Sequence, residues 1–463
     1  MNYTVENRSG LGELLHFRHN PLDFIADAGR RSIDVVCMRF GRSHIFQVNH
    51  PDLVRDILIT HDWNFVKGQG LHASKPVLGN GLLTSEGELH RRQRRLVQPA
   101  FHSERLSSYG RTMVGCASAT AAEWRDGTQI AVDREMMCLT LEIVGRTLFS
   151  ADLKHDAAGV GESLTRALGL FLKLNHPITR AITPLRNRME AKARRCRREI
   201  ETVLRRIIEE HRAQPGLHDM LSMMMHSSDD AHAGYMSDDL LLDESLTLFL
   251  AGHETTANAL TWTWHLLGQY PHIGRRFHDE LDRVLAERLP EPADLPHLTY
   301  TNCIFRESLR LYPPAWVIGR EAVTSYRLGD VEVPAGSMLV LSPYATHRDP
   351  RFWERPEEFM PDRWLNEPDI PRPKFSFYPF GAGSRVCVGE HFAMMEGVLL
   401  LATLAKQWKL HHVPGQRIDM WPQITLRPRH SIRMRLEQRI SVRNGSPIHS
   451  EPNLQQETLT IAN

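Results

Sequence analysis

Apolar positions along the chain follow two different periods, and the change from one to the other outlines the fold. Residues 35–60 (VVCMRFGRSHIFQVNHPDLVRDILIT) hold short apolar runs broken by Gly41, which predict strands followed by a helix. From about residue 85 to 270 the spacing is mainly helical. AKARRCRREIETVLRRIIEEHR, 191–212, predicts an amphipathic helix whose arginines form a solvated face and not a nucleic-acid patch. Residues 213–236 predict a short helix and a polar connection, with Met223–Met225 as core filler. Ser237 then supplies an N-cap, with Asp238 and Asp239 in the first turn. The helix it opens runs to Gln269, ahead of Pro271, and spans roughly 50 Å at about 1.5 Å per residue. After about residue 320 the pattern turns to short β-like runs and proline-rich loops. From 438 it is polar and aperiodic, as expected of a disordered tail. The fold class is mainly α, an α+β chain whose parts are too interleaved to divide by pattern alone.

Composition changes little in this picture. Of 463 residues, 41% are hydrophobic and 24% charged, and 56 Lys+Arg stand against 55 Asp+Glu. Nothing global advertises nucleic acid or an anionic membrane. The six cysteines (Cys37, Cys116, Cys138, Cys196, Cys303, Cys387) are scattered, with no CxxC pair. That argues against a disulfide framework and against zinc or iron–sulfur sites, and it fits a reducing cytosol. No apolar run reaches the ~18 residues of a membrane span, so a cytoplasmic protein is expected.

Candidate chemistry concentrates in FGAGSRVCVGEHFA, 380–393. A lone cysteine is usually an inert buried thiol, but three neighbours of Cys387 point elsewhere. Gly381, Gly383 and Gly389 allow positive-φ turns that converge backbone N–H groups on one atom. A helix beginning just downstream favours a thiolate. Arg385 offers a fixed fork of donors to a carboxylate. A haem would use all three, its iron on the sulfur and a propionate on the arginine. The segment Phe380-Gly381-x-Gly383-x-Arg385-x-Cys387-x-Gly389 resembles the cysteine-ligand loop of the cytochromes P-450, the haem-thiolate monooxygenases.

The resemblance covers about residues 30–435. It implies a helix-rich cytochrome P-450 fold with small β-sheets and a haem between the long central helix and the cysteine loop. It also implies one domain over 31–437, between an N-terminal segment 1–30 and the tail 438–463. AGHETT resembles the family's oxygen-activating segment: Ala251 and Gly252 would border the haem, Gly252 leaving room for a diatomic ligand, and Glu254 and Thr255 would relay protons. A zinc reading of the same stretch through H-E-x-x-H fails, because Ala257 stands where the second histidine belongs. FRESLRL places Glu307 and Arg310 on one helix face and resembles the E-x-x-R motif; Arg363 of FMPDRW would complete a buried structural network. GELHRRQRRLVQPAF supplies His90 and Arg94 which, with Arg320 and Arg385, would neutralise two propionates. Many relatives carry tryptophan where this chain has His90. Arg91, Arg92 and Arg95 would form a basic patch on the cysteine side for an acidic redox partner.

The implied cofactor is haem b (iron protoporphyrin IX), its iron on the Cys387 thiolate. The implied reaction inserts one atom of O2 into a C–H bond, with electrons from a separate donor, a ferredoxin and its reductase. Segments that face the haem in this fold supply the pocket: Leu71, Leu83, Leu172, Phe249, Leu250, Ala315, Trp316, Val317, Ile318, Ile424 and Thr425. Their apolar character implies a lipophilic substrate: a terpenoid, steroid or fatty acid. A monomer without membrane span or nucleic-acid partner is expected. Two alternatives stay open. A peroxide-using or oxygen-rearranging relative would typically lack the Glu254–Thr255 pair, and a haem-based sensor would need an output module.

Overall fold

The computed structural model describes residues 3–439 apart from 10, 41–42, 154–158, 160–162, 164–165, 167–168, 171–182, 215, 218, 227–235 and 366–370. Leu172 and the tail beyond Arg439 lie outside the described residues.

Ser237 opens the element around which the rest is arranged. Its hydroxyl accepts the Leu240 N–H at 3.3 Å, and the helix runs Asp238–Gln269, as the cap and Pro271 predict. Every residue from Leu241 to Leu267 is buried except Ala251, Gly252 and Thr255. A helix buried all round, with polar residues such as Asp243, Glu244 and His253 among its buried positions, runs through the middle of the protein, and the three exceptions mark accessible space beside its centre. The helix Val132–Leu148 packs against it, with Thr140 donating to the His253 carbonyl at 3.0 Å. The helix Thr183–Ala213 contributes the stripe Ala193, Cys196, Ile200, Leu204 and Ile207; Arg197 turns inward to donate to Asp243 of the central helix at 2.6 Å, while Arg194, Arg195 and Arg198 are exposed. Met220 and Met224 of the helix Met220–His226 fill the same core. Glu390–Gln407, just after Cys387, buries Val398–Leu401 there as well.

A mixed sheet flanks this bundle in the order Val5–Ser9, Val35–Phe40, Ser43–Val48, Met338–Leu341, Ile318–Ala322, Phe65–Lys67. The N-terminal residues, expected as a separate segment, are stitched into it: Val5–Ser9 pairs in parallel with Val35–Arg39. At the opposite edge Lys67 lies in register with Arg320. All six cysteines are free. Among the described residues no helix is long and apolar enough to cross a membrane.

Candidate active site

The cysteine loop is held by two left-handed glycines. Gly381 (φ 71°) and Gly383 (φ 73°) adopt a conformation costly for other residues. At Gly383 a Cβ would lie 1.8 Å from the Leu58 carbonyl oxygen. The turn closes through Cys387 N–H to Phe380 O (2.9 Å) and Val386 N–H to Gly383 O (3.1 Å). Gly389 departs from expectation: its φ of −93° suits any residue. Its N–H instead donates to the Cys387 sulfur. Cys387 is accessible although deep in the fold, and it lines a cleft shared with Arg94 and Val386. Burial raises the thiol pKa, while the Gly389 N–H and the Arg94 charge pull against it.

Beside the loop lies a largely buried cluster of basic side chains. His90 and Arg94 come from the helix Gly87–Val97, Arg320 and Lys67 from the register pair at the sheet edge, and Arg385 from the loop. Arg94 donates to Val386 O at 2.7 Å, which ties its helix to the cysteine turn. Arg385 donates to Glu86 Oε2 at 2.8 Å, while its Nε is buried with no partner. Lys67 Nζ donates to the Leu82 and Ser85 carbonyls at 2.8 and 2.7 Å. Burial brings Lys67 down to about 7, with Arg385 and Arg320 adding repulsion. Burial, Lys67 and Arg385 bring His90 to about 4, so its imidazole is neutral. Burial and Arg385 bring Arg320 to about 10. Burial favours the neutral Glu86, yet the Lys67 backbone N–H and Arg385 hold its pKa below the usual range. Among the described residues Glu86 is the one carboxylate bonded into this cluster. The excess positive charge, and the orphaned Arg385 Nε, fit a group carrying further carboxylates, as the two propionates of haem would. Lys67 and Glu86 escape sequence reasoning because only the sheet register and the fold bring them here.

On the central helix, Ala251 is exposed in mid-helix and Thr255 half-buried, its hydroxyl donating to Ala251 O at 2.8 Å. A Cβ on Gly252 would meet Val144 at 2.9 Å, so close packing on the neighbouring helix requires that glycine, in addition to any room for a ligand. Glu254 is buried and does not bond to Thr255. Its Oε1 accepts from Thr425 Oγ1 at 2.6 Å, and Thr425 in turn accepts from Asn258 Nδ2 at 3.2 Å. Burial raises the Glu254 pKa against the opposing pull of Thr425 and Arg427.

Glu307, Arg310 and Arg363 meet. The fully buried Glu307 carboxylate accepts from Arg310 (3.0 and 2.8 Å), Arg363 Nε (2.9 Å), Trp364 Nε1 (2.9 Å) and the Met360 N–H (3.0 Å). Arg310 also donates to His347 O at 2.8 Å, and His347 Nε2 accepts the Tyr378 N–H at 3.0 Å at the root of the cysteine loop. A short chain of hydrogen bonds therefore joins this network to the loop.

The expected pocket walls divide. Leu71, Leu83, Ala315, Val317, Ile318 and Ile424 are partly accessible. Phe249 is not a wall: it is fully buried, edge-on to Phe149 at 5.7 Å, because it lies about 200° around the helix from Ala251. Leu250 is buried too. Trp316 is a core residue whose Nε1 donates to Gln423 O at 2.9 Å. Thr425 is likewise buried, its hydroxyl engaged by Glu254 and Asn258. The helical period instead aligns Glu244 and Thr247 with Ala251, and each keeps a buried oxygen without a partner. Burial pushes the Glu244 carboxyl up to about 8. On the cysteine side a cleft of about 530 Å³ is bordered by Arg94, Phe101, His102, Val386 and His391. Nearby Arg91 and Arg95 are exposed and both pair with Glu88, whereas Arg92 is half-buried.

The fold and this site define a haem-thiolate protein, and the chain belongs to the cytochrome P-450 family: the family model matches residues 6–433. It is an oxidoreductase of the monooxygenase type, with a haem held through cysteine thiolate. The chain is similar to cyclooctatin synthase of Streptomyces melanosporofaciens, 38% identical over 90% of this chain and 91% of that protein. It is 34% identical, over 88% of each chain, to cyclooctat-9-en-7-ol 5-monooxygenase of the same organism. It is also 34% identical to pentalenene oxygenase of Streptomyces avermitilis, over 92% of this chain and 94% of that one.

Proposed function

We propose that this enzyme hydroxylates a terpenoid hydrocarbon or alcohol. Cys387 would ligate the iron of haem b, with the propionates among Arg94, Arg320, Arg385, Lys67 and neutral His90. The observation that carries the cofactor reading is the buried surplus of positive charge next to an accessible Cys387. When bound, the haem supplies reductive activation of dioxygen, with the thiolate as electron-donating ligand. The chain's residues do the rest. The partly accessible apolar side chains Leu71, Leu83, Val317 and Ile318 hold the substrate and exclude water. Glu254 and Thr255 supply protons on the side opposite Cys387. The relatives named for a cyclic terpene alcohol and for pentalenene support the substrate class. Electrons would come from a cytoplasmic ferredoxin and its reductase, docking around Arg91 and Arg95 at the cysteine-side cleft.

A carbon-monoxide difference spectrum of the reduced protein tests the ligand. A thiolate-type Soret band is expected, and a histidine-type band would refute the assignment. Turnover of cyclooctat-9-en-7-ol and pentalenene with ferredoxin, reductase and labelled dioxygen tests the rest. Label in a new hydroxyl supports the substrate class; fatty-acid hydroxylation with neither terpenoid accepted would overturn it.

A further inference from the structure

Glu254 precedes Thr255 in the chain, but the structure bonds it to a residue 171 positions away. Thr425 sits in the turn of the hairpin formed by Met420–Pro422 and Leu426–Pro428 and is clamped in place. Trp262 Nε1 donates to Leu426 O at 3.1 Å, and the Leu426 N–H donates to Pro314 O at 2.9 Å. A hydroxyl has a single proton to give. Thr425 accepts from Asn258 Nδ2 at 3.2 Å and gives its own proton to Glu254 Oε1 at 2.6 Å. The chain Asn258 to Thr425 to Glu254 therefore runs in one direction and makes Oε1 an acceptor.

We propose that Thr425, oriented by Asn258, is the positioning residue of the proton relay: it fixes Oε1 as acceptor, so a proton carried by the acid sits on Oε2. Each proton that leaves Oε2 is matched by one electron from the donor protein, and the carboxylate is reprotonated by hydronium from bulk solvent, so charge and atoms balance. This rests on the reading of Glu254 as relay acid. It gives Thr425 a task distinct from lining the substrate pocket.

The test compares Thr425→Val, which keeps the shape and removes the hydroxyl, with Thr425→Ser, which keeps the hydroxyl. In the resting holoenzyme the infrared carbonyl band of protonated Glu254 is identified by its loss in Glu254→Gln. Thr425→Val should shift that band to higher frequency, and Thr425→Ser should restore it. With cyclooctat-9-en-7-ol as probe and ferredoxin with its reductase as donor, Thr425→Val should raise the peroxide released per electron pair by about fivefold, the scale of one lost hydrogen bond. Thr425→Ser should return it to the wild-type value. An unshifted band, or the absence of any band lost in Glu254→Gln, overturns the proposal. So does a Thr425→Val enzyme with unchanged peroxide release and altered product pattern, which would mark Thr425 as a pocket wall. The infrared arm needs no turnover. A wild type with a histidine-type carbon-monoxide spectrum would therefore sink the functional reading, leaving the hydrogen-bond claim to be judged by the band.

Discussion

Replacing Glu307 by glutamine perturbs one charge at the point where three segments meet. In the folded protein that carboxylate is fully buried and accepts five hydrogen bonds, three of them from two guanidinium groups. Glutamine keeps one acceptor oxygen and turns an N–H2 group toward donors, so Arg310 and Arg363 are left as buried cations without a counter-charge. Breaking a buried pair from one side costs about 3–5 kcal/mol, a loss of about 10² to 5 × 10³-fold in the folding equilibrium. The exposed pair Glu88–Arg91 has an N–O distance of 2.6 Å, shorter than the 2.8 Å of Glu307–Arg310. Its partners remain 68% and 56% accessible, so Arg91→Ala should cost less than about 1 kcal/mol. Urea unfolding followed by tryptophan fluorescence compares the two variants with wild type. Although burial alone would raise the Glu307 pKa, Arg310 and Arg363 hold it low, so the contribution is present above the unfolded carboxyl pKa of about 4.3 and is lost below it, as pH falls through the depressed folded value. A Glu307→Gln penalty no larger than that of Arg91→Ala would refute the reasoning.

Three further outcomes are expected. Gly383→Ala should cost at least about 3 kcal/mol and abolish the thiolate spectrum; Gly336→Ala, also left-handed (φ 77°) but facing open space, should cost about 1 kcal/mol. Haem binding should take up a proton at Lys67: burial holds that amine at about 7 in the haem-free protein, and propionates would raise it. Haem affinity should thus be flat below about pH 7 and fall above it, as haem titrations of the apoprotein would show, with Lys67→Met removing the dependence. Glu254→Gln and Thr255→Val should each lower product formed per electron pair by about 10²-fold or less while leaving the carbon-monoxide spectrum unchanged; an altered spectrum would place these residues in support of the haem instead.

How much of this was legible in the chain depends on whether the information is local. Ser237, the acidic first turn and Pro271 predict both ends of a thirty-two-residue helix, because caps and proline act within a turn of the boundary. The glycines of the cysteine loop are legible for the same reason at Gly381 and Gly383. Gly389 is not, since a glycine in the chain says only that positive φ is allowed. The choice of Phe249 as a pocket wall ignores the helical period that carries it to the far side from Ala251, an error the residues themselves could have exposed.

What the chain does not disclose is where buried charge goes. Arg385 reads as a propionate ligand, yet in the fold it also faces Glu86, 299 residues away. Lys67 becomes part of the cradle only because the edge strand pairs it with Arg320. Glu254 reads as the neighbour of Thr255 and is bonded to Thr425. In each case burial makes a partner obligatory, because an unpaired polar group away from water costs more than the bond is worth. The partner is then chosen by register and packing, not by sequence distance. Motifs therefore point to candidate groups, and the fold decides which of their atoms are already engaged: Oε1 of Glu254 by Thr425, and Nη2 of Arg385 by Glu86.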